Sequence, residues 1–323
     1  MNKIFFLCAA LLCGAGYSSA QESVSCKYWF VTHGTKNAFW EVVKKGAEDA
    51  ALSLGCTVQF YFSGGNLQAQ QDSFIKTLAA KPDGIALSIT NDKLFDAPVV
   101  RALDSGIAVL AVNNDDSRGA AGNRRLCYVG QDDEAAAYRL GLLLIETAQK
   151  KGFDIFKTQT VLFSELPGSN FDSKRVAGLS RALGEFGMKP PKIVDLGQAR
   201  GEYERKIEAH LDAGAGGGRL LAVALGAAAT EALYSALKSA GRAPGDVLAG
   251  GFDLGPHVVE AIKAGYLAAT VDQQQYLQGY FSVYSLWLYN RYGFAADIDT
   301  GRNLVDNPAE LQRLYRLSGS GMR

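Results

Sequence analysis

Past residue 21 the chain alternates short apolar runs with helical periods, and that alternation leaves few folds open to it. The runs are Tyr28–Thr32, Val58–Phe62, Gly84–Ser88, Ala108–Val112, Thr160–Phe163, Lys192–Leu196, Leu220–Leu225, Val247–Gly250 and Ala268–Val271. Most carry few charges, as strands buried on both faces do. Between them apolar residues recur at helical spacing: Phe39, Val42, Val43, Ala47, Ala50, Ala51 and Leu54 share one face, and Val176, Leu179, Leu183 and Phe186 another. Gly55 and Gly187 stand where helix ends favour glycine. Strand–helix alternation of this kind predicts βαβ units, hence α/β architecture with parallel sheets covered by helices on both faces.

The pattern weakens over Asn113–Arg125, a polar, glycine-containing stretch read as a surface loop or an inter-domain crossing. About as many units follow it as precede it, which predicts two lobes. A length of 323 residues is enough for two cores. Ala213–Gly218 reads as a flexible turn. Its glycines precede a strand, whereas a phosphate cradle places them between a strand and a helix.

Lys3, the apolar run Ile4–Leu12 and the small residues Ser18-Ser19-Ala20 read as an export signal with cleavage after Ala20. The run is too short to span a bilayer, which takes about 20 apolar residues. A periplasmic location is therefore expected. Cys26, Cys56 and Cys127 remain after cleavage; an oxidising compartment permits a Cys26–Cys56 disulfide, and three buried free cysteines are the alternative.

Lys+Arg and Asp+Glu both number 33, so no basic excess supports nucleic-acid binding. The three histidines lack metal-ligand spacing. Phosphate-loop, zinc-protease, Cys-x-x-Cys and Gly-x-Ser-x-Gly motifs are all missing. The chain is read as a non-enzymatic binder with no cofactor and no metal.

Ligands of parallel sheets bind at the carboxyl ends of strands. The residues following the predicted strands are His33 through Trp40, including Asn37 and Phe39; Asn113 and Asn114; Pro167 through Phe171, then Arg175; Phe252 and Asp253; and Asp272 through Gln275, including Gln273. Amides and carboxylates satisfy hydroxyl groups, and flat rings cover the C–H face of a sugar.

In this ordered set the sequence resembles the periplasmic sugar-binding proteins of ABC importers, the ribose- and galactose-binding type. The markers are Asn37-Ala38-Phe39-Trp40, Lys81-Pro82-Asp83-Gly84-Ile85, Gly106-Ile107-Ala108-Val109, Tyr128-Val129-Gly130-Gln131-Asp132, Arg175 with Gly178, Gly251-Phe252-Asp253 and Ala269 through Gln274. The resemblance implies two Rossmann-like lobes joined by three hinge strands, with ligand in the cleft between them. The lobes are expected at residues 21–129 plus 274–302 and 130–273 plus 303–323. It implies ligand contacts from Asn37, Phe39, Trp40, Asn113 and Asn114 on one side and from Phe171, Arg175, Tyr203, Asp253 and Gln273 on the other. A monomer is expected, delivering a sugar-like ligand to an ABC permease and its ATPase, or presenting its closed form to a chemoreceptor or histidine kinase. A repressor of the lactose type shares the fold but needs a DNA-binding head and no export signal.

Three departures from the family pattern stand out. Asn113-Asn114 replaces an Asp-Arg pair, Gly226 stands where an Asn is frequent, and Leu225 beside it is apolar. The site is therefore expected to lose a charged pair and gain space, with Arg175 and Asp253 as its main charges, neutralising one another.

Overall fold

The computed structural model describes residues 26–197, 199–211, 219–318 and 322. The signal segment with its cleavage site and the Ala213–Gly218 turn lie outside the described residues.

The first half of the chain runs β1 (Lys27–Thr32), α1 (Ala38–Leu54), β2 (Thr57–Phe62), α2 (Leu67–Ala79), β3 (Gly84–Leu87), α3 (Asp96–Asp104), β4 (Ala108–Val112) and β5 (Tyr128–Gly130). The second half runs α4 (Asp133–Lys150), β6 (Gln159–Ser164), α5 (Asn170–Glu185), β7 (Lys192–Asp195), α6 (Tyr203–Leu211), β8 (Leu220–Ala224), α7 (Ala227–Ser239), β9 (Val247–Phe252), α8 (Pro256–Lys263) and β10 (Ala269–Asp272). It closes with α9 (Gln275–Tyr292), β11 (Ile298–Asp299), β12 (Asn303–Val305) and α10 (Pro308–Ser318). Two six-stranded sheets result, ordered β11-β5-β4-β3-β1-β2 and β12-β10-β9-β8-β6-β7. The pairing is parallel throughout except where β12 runs against β10.

Alternation of side chains along each strand sends neighbours to opposite cores. Phe30 packs under α1 and α9 with Val43, Ala47 and Leu286, while Val31 packs under α2 and α3 with Phe74 and Val99. In the second sheet Leu162 meets Leu140 of α4 and Leu179 of α5, and Val161 meets Ile207, Leu233 and Val259 on the other face. The central strands β3, β4 and β8 are buried along their whole length, which explains their unbroken apolar runs.

The chain passes between the sheets three times: after β5, after β10, and between β11 and β12. The second passage delivers α9 back to the first sheet, where it packs along α1. Gly46 and Gly279 make that possible. A Cβ on either would overlap the carbonyl of Tyr276 or Val43 on the facing helix, so the two backbones touch.

β5, β11 and β12 are absent from the sequence reading, and Asn113–Arg125 needs correction. That stretch is a loop, exposed at Ser117, Arg118, Ala120, Ala121 and Arg124, but it is not the crossing, and its polar ends are anchored inside. Asn113, Asn114, Asp115, Asp116, Asn123 and Arg125 are all buried. Polar residues can be buried here because they satisfy one another. Arg125 donates to both carboxylate oxygens of Asp115 at 2.6 Å, and Asp116 accepts from the backbone of Arg118 and Asn123. The crossing follows β5 instead.

Cys26 and Cys56 are joined, tying the starts of the neighbouring strands β1 and β2; Cys127 is buried and free.

Candidate functional site

The carboxyl ends of strands from both sheets meet around a cleft with two adjoining compartments. Nine of the ten predicted residues (Asn37, Phe39, Trp40, Asn113, Asn114, Phe171, Arg175, Asp253 and Gln273) line the inner one, of about 130 Å³. Tyr203 lines the outer one, of about 480 Å³, while its hydroxyl donates to Gly197 O at 2.7 Å and its ring joins the core.

On the first-sheet side, Asn37 caps α1, its side-chain oxygen accepting from Trp40 N at 3.1 Å. The cap starts the helix where Phe39 and Trp40 turn towards the cleft. Trp40 packs on Gly34, where a Cβ would collide with the indole, and meets the His33 ring edge-on at 5.4 Å. Burial pushes His33 down to about 4, so the ring is neutral at pH 7; its Nδ1 lies 2.6 Å from Ser88 Oγ. Asn113 adopts φ 65°, a left-handed conformation that asparagine tolerates better than most residues. Asn114 donates to Asn113 Oδ1, and Asn113 donates to Gln278 Oε1 at 3.1 Å.

On the second-sheet side, Arg175 lies between the rings of Phe171 and Phe252, at 5.0 and 4.2 Å from their centroids. Its Nε donates to Asp133 Oδ1 at 2.7 Å and a terminal nitrogen donates to Leu225 O at 2.6 Å. The opposite charges of Arg175 and Asp253 do act on one another, as expected, but they are not joined directly. The ion pair of Arg175 is with Asp133, at the start of α4. Asp253 instead accepts from Gln273 Nε2 at 2.7 Å and holds φ 74°. Burial raises the Asp253 carboxyl to about 7, against the pull of the Arg175 charge.

Residues 28–291 match the periplasmic binding protein domain. The chain belongs to the periplasmic binding protein family. Among its relatives, the xylose/arabinose-binding protein XylF of Sulfolobus acidocaldarius is 27% identical over 311 residues, covering 91% of this chain and 74% of that one. The D-allose-binding periplasmic protein of Escherichia coli is 27% identical over 161 residues, 48% of this chain and 51% of its own. A carbohydrate transporter from Acidothermus cellulolyticus 11B, solved with myo-inositol, superimposes with a TM-score of 0.78 at 24% identity, covering 93% of this chain and all of that one. A periplasmic sugar-binding protein from Legionella pneumophila gives 0.75 at 23% identity, over 85% of this chain and 99% of that one.

In this periplasmic binding protein two groups lining the cleft, Glu165 and Arg200, and one behind it, Asp133, escaped the sequence reading. Glu165 lines both compartments. It directly follows β6, so reading the first residue after each strand would have found it. Its side chain fills the space above Gly226, where a Cβ would come within 2.6 Å of Glu165 Oε1. The expected gain of room at Gly226 is therefore corrected: the volume is occupied, by a third carboxylate. Asp133, the first residue of α4, has no local signal beyond a charge at a helix start, and its bond to Arg175 comes from a distant element. Arg200 reaches the outer compartment from a short 3-10 turn that carries no apolar pattern. Among the described residues no cluster of three metal-ligating side chains occurs, and no helix is long and apolar enough to cross a membrane.

Proposed function

We propose that the protein is an exported binder that captures a small polyhydroxylated ligand, a sugar or sugar derivative, in the cleft and delivers it to an ABC importer. In this reading the signal segment is cleaved after Ala20, the lobes are residues 21–129 plus 274–302 and 130–273 plus 303–323, and the ten residues named above are the ligand contacts. The observation that carries it is the composition of the inner compartment. Aromatic rings at Phe39, Trp40 and Phe171 stand beside amides at Asn37, Asn113, Asn114 and Gln273 and charges at Arg175 and Asp253. Rings cover C–H faces while amides and charges bond hydroxyls, the division of labour a polyol needs. The names of the relatives, which bind xylose, arabinose and allose, point the same way.

Titration calorimetry of the purified protein against D-xylose, L-arabinose, D-ribose, D-allose, D-galactose and myo-inositol tests it. A saturable heat with one-to-one stoichiometry for at least one is expected. Turnover of any of these sugars in proportion to protein, or no binding across the panel, overturns it.

A further inference from the structure

Gly226 lies two residues beyond β8 and is the N-cap of α7, with no side chain to cap that helix. Glu165 does so from the end of the neighbouring strand β6: its Oε1 accepts from Ala229 N, in the first turn of α7, at 2.6 Å. The carboxylate is therefore held by a helix N-terminus and seated on a glycine, while lining both compartments of the cleft. A carboxylate offers about four lone-pair sites, so one bond to Ala229 leaves acceptor capacity towards the cleft. Burial raises its pKa, whereas the Ala229 amide and the charges of Arg200 and Arg175 lower it.

We propose that Glu165 is a specificity-determining ligand contact, accepting a hydrogen bond from a ligand hydroxyl where the inner and outer compartments meet. The long acid then supplies, from β6, the polar group that the end of β8 lacks at Gly226. This deepens the binder reading above and rests on it. Because the acceptor is charged, it favours a hydroxyl donor over a hydrogen or a methyl ether at that ligand position more strongly than an amide in its place would. Because it is anchored through Ala229, it discriminates by position as well as by charge.

The test uses the wild-type chain, E165Q and G226A, with the best ligand of the sugar panel and the commercially available monodeoxy derivatives of that sugar. E165Q keeps an acceptor oxygen for Ala229, so its melting temperature should match the wild type. Its affinity for the parent sugar should fall at least tenfold. One deoxy sugar should lose a similar factor against the wild type yet bind E165Q no worse than the parent does, since hydroxyl and carboxylate act as a pair. G226A puts a methyl within 2.6 Å of Glu165 Oε1 and so displaces the carboxylate, and it should reproduce the loss without adding to that of E165Q.

Unchanged affinity of E165Q for a sugar that binds the wild type overturns the proposal and leaves the binder reading standing. So does a cycle in which every deoxy penalty is the same in E165Q as in the wild type. Failure of the wild type to bind any sugar of the panel removes the binder reading, and this inference with it.

Discussion

Arg175 Nε stands 2.7 Å from Asp133 Oδ1, and both side chains are almost wholly buried. Asp133 opens α4 just beyond the first passage between the sheets, so one ion pair fixes the guanidinium in the cleft to the segment that links the two halves. Removing one partner of a buried pair costs about 3–5 kcal/mol, because the other charge is left uncompensated. Arg175→Ala should therefore lower the unfolding midpoint and weaken ligand binding at least tenfold. Asp133→Ala should weaken binding as well, although Arg175 is still present. Calorimetric titration and thermal denaturation of both variants check this; full affinity in Asp133→Ala would show that Arg175 needs no anchor.

Trp40 is buried on Gly34, so its role is double. Trp40→Ala should cost about 3–5 kcal/mol of stability, as large aromatic truncations do, besides its effect on ligand. Gly34→Ala separates the two effects, since it keeps the indole but pushes it from its seat. Gly34→Ala is expected to weaken binding more than tenfold. Denaturant titration beside binding data distinguishes them, and wild-type affinity in Gly34→Ala would mean that the indole position is immaterial to the ligand.

Asp253 and His33 give opposite pH dependences. Burial raises Asp253 from 3.8 to about 7, so the folded protein holds this proton more tightly than the unfolded chain does. Its contribution to stability is complete below about pH 4 and declines as pH rises through 7. Burial lowers His33 from 6.5 to about 4, so its contribution is complete above pH 6.5 and is lost as pH falls through 4. The two act over the same range and offset one another, so relative to the wild type, urea midpoints measured from pH 4 to 7 should rise with pH in Asp253→Asn and fall with pH in His33→Gln. A profile in Asp253→Asn that parallels the wild type would refute the first assignment.

The Cys26–Cys56 bridge closes a segment with a sequence separation of 30. Loop-closure entropy for a loop of that size corresponds to about 3–4 kcal/mol of stability. Thermal melts with and without dithiothreitol should differ by several degrees, and the double Cys→Ala variant should match the reduced protein. Equal melting temperatures in both conditions would show that the bridge adds nothing.

Much of the fold is legible in the sequence because burial on both faces leaves a local trace. Leu220–Ala224 and Ala108–Val112 are uniformly apolar and punctuated by turns, and their elements sit where the pattern places them. β11 and β12 have two and three residues and exist only through pairing with β5 and β10. No local signal could have shown them. The burial of Asp115 and Asp116 was illegible for a related reason: a polar residue reads as exposed until its distant partner, such as Arg125, is known. At the cleft, strand ends identified the lining, but not how its charges pair. Arg175 and Asp253 are both there, yet which carboxylate holds the guanidinium is decided by the α4–α5 packing that brings Asp133 beside it.

Asn170, the first residue of α5, donates to Asp92 Oδ1 at 2.8 Å and to Asp115 O at 3.3 Å, bridging the two halves of the molecule. Bonds that join the two halves across the cleft favour whichever arrangement allows them to form. Asn170→Ala should shift the population towards an open form and weaken ligand binding severalfold with little change in stability. Small-angle scattering should show contraction of the wild type on binding, and a larger unliganded radius for the variant. Identical radii would exclude the bridge as a closure contact.

The last strand of each sheet is supplied by residues 298–305, after the chain has already built the rest of both. Neither half can therefore be obtained by cutting the chain once: an amino-terminal fragment ending after β5 would lack α9 and β11 and expose the apolar face of α1. During synthesis the two halves must wait for nearly the same moment to be completed, with contacts of long sequence separation formed last. The order in which the polypeptide is threaded thus places the closing contacts of both halves late in the chain and at long sequence separation, the kind of contact that slows folding.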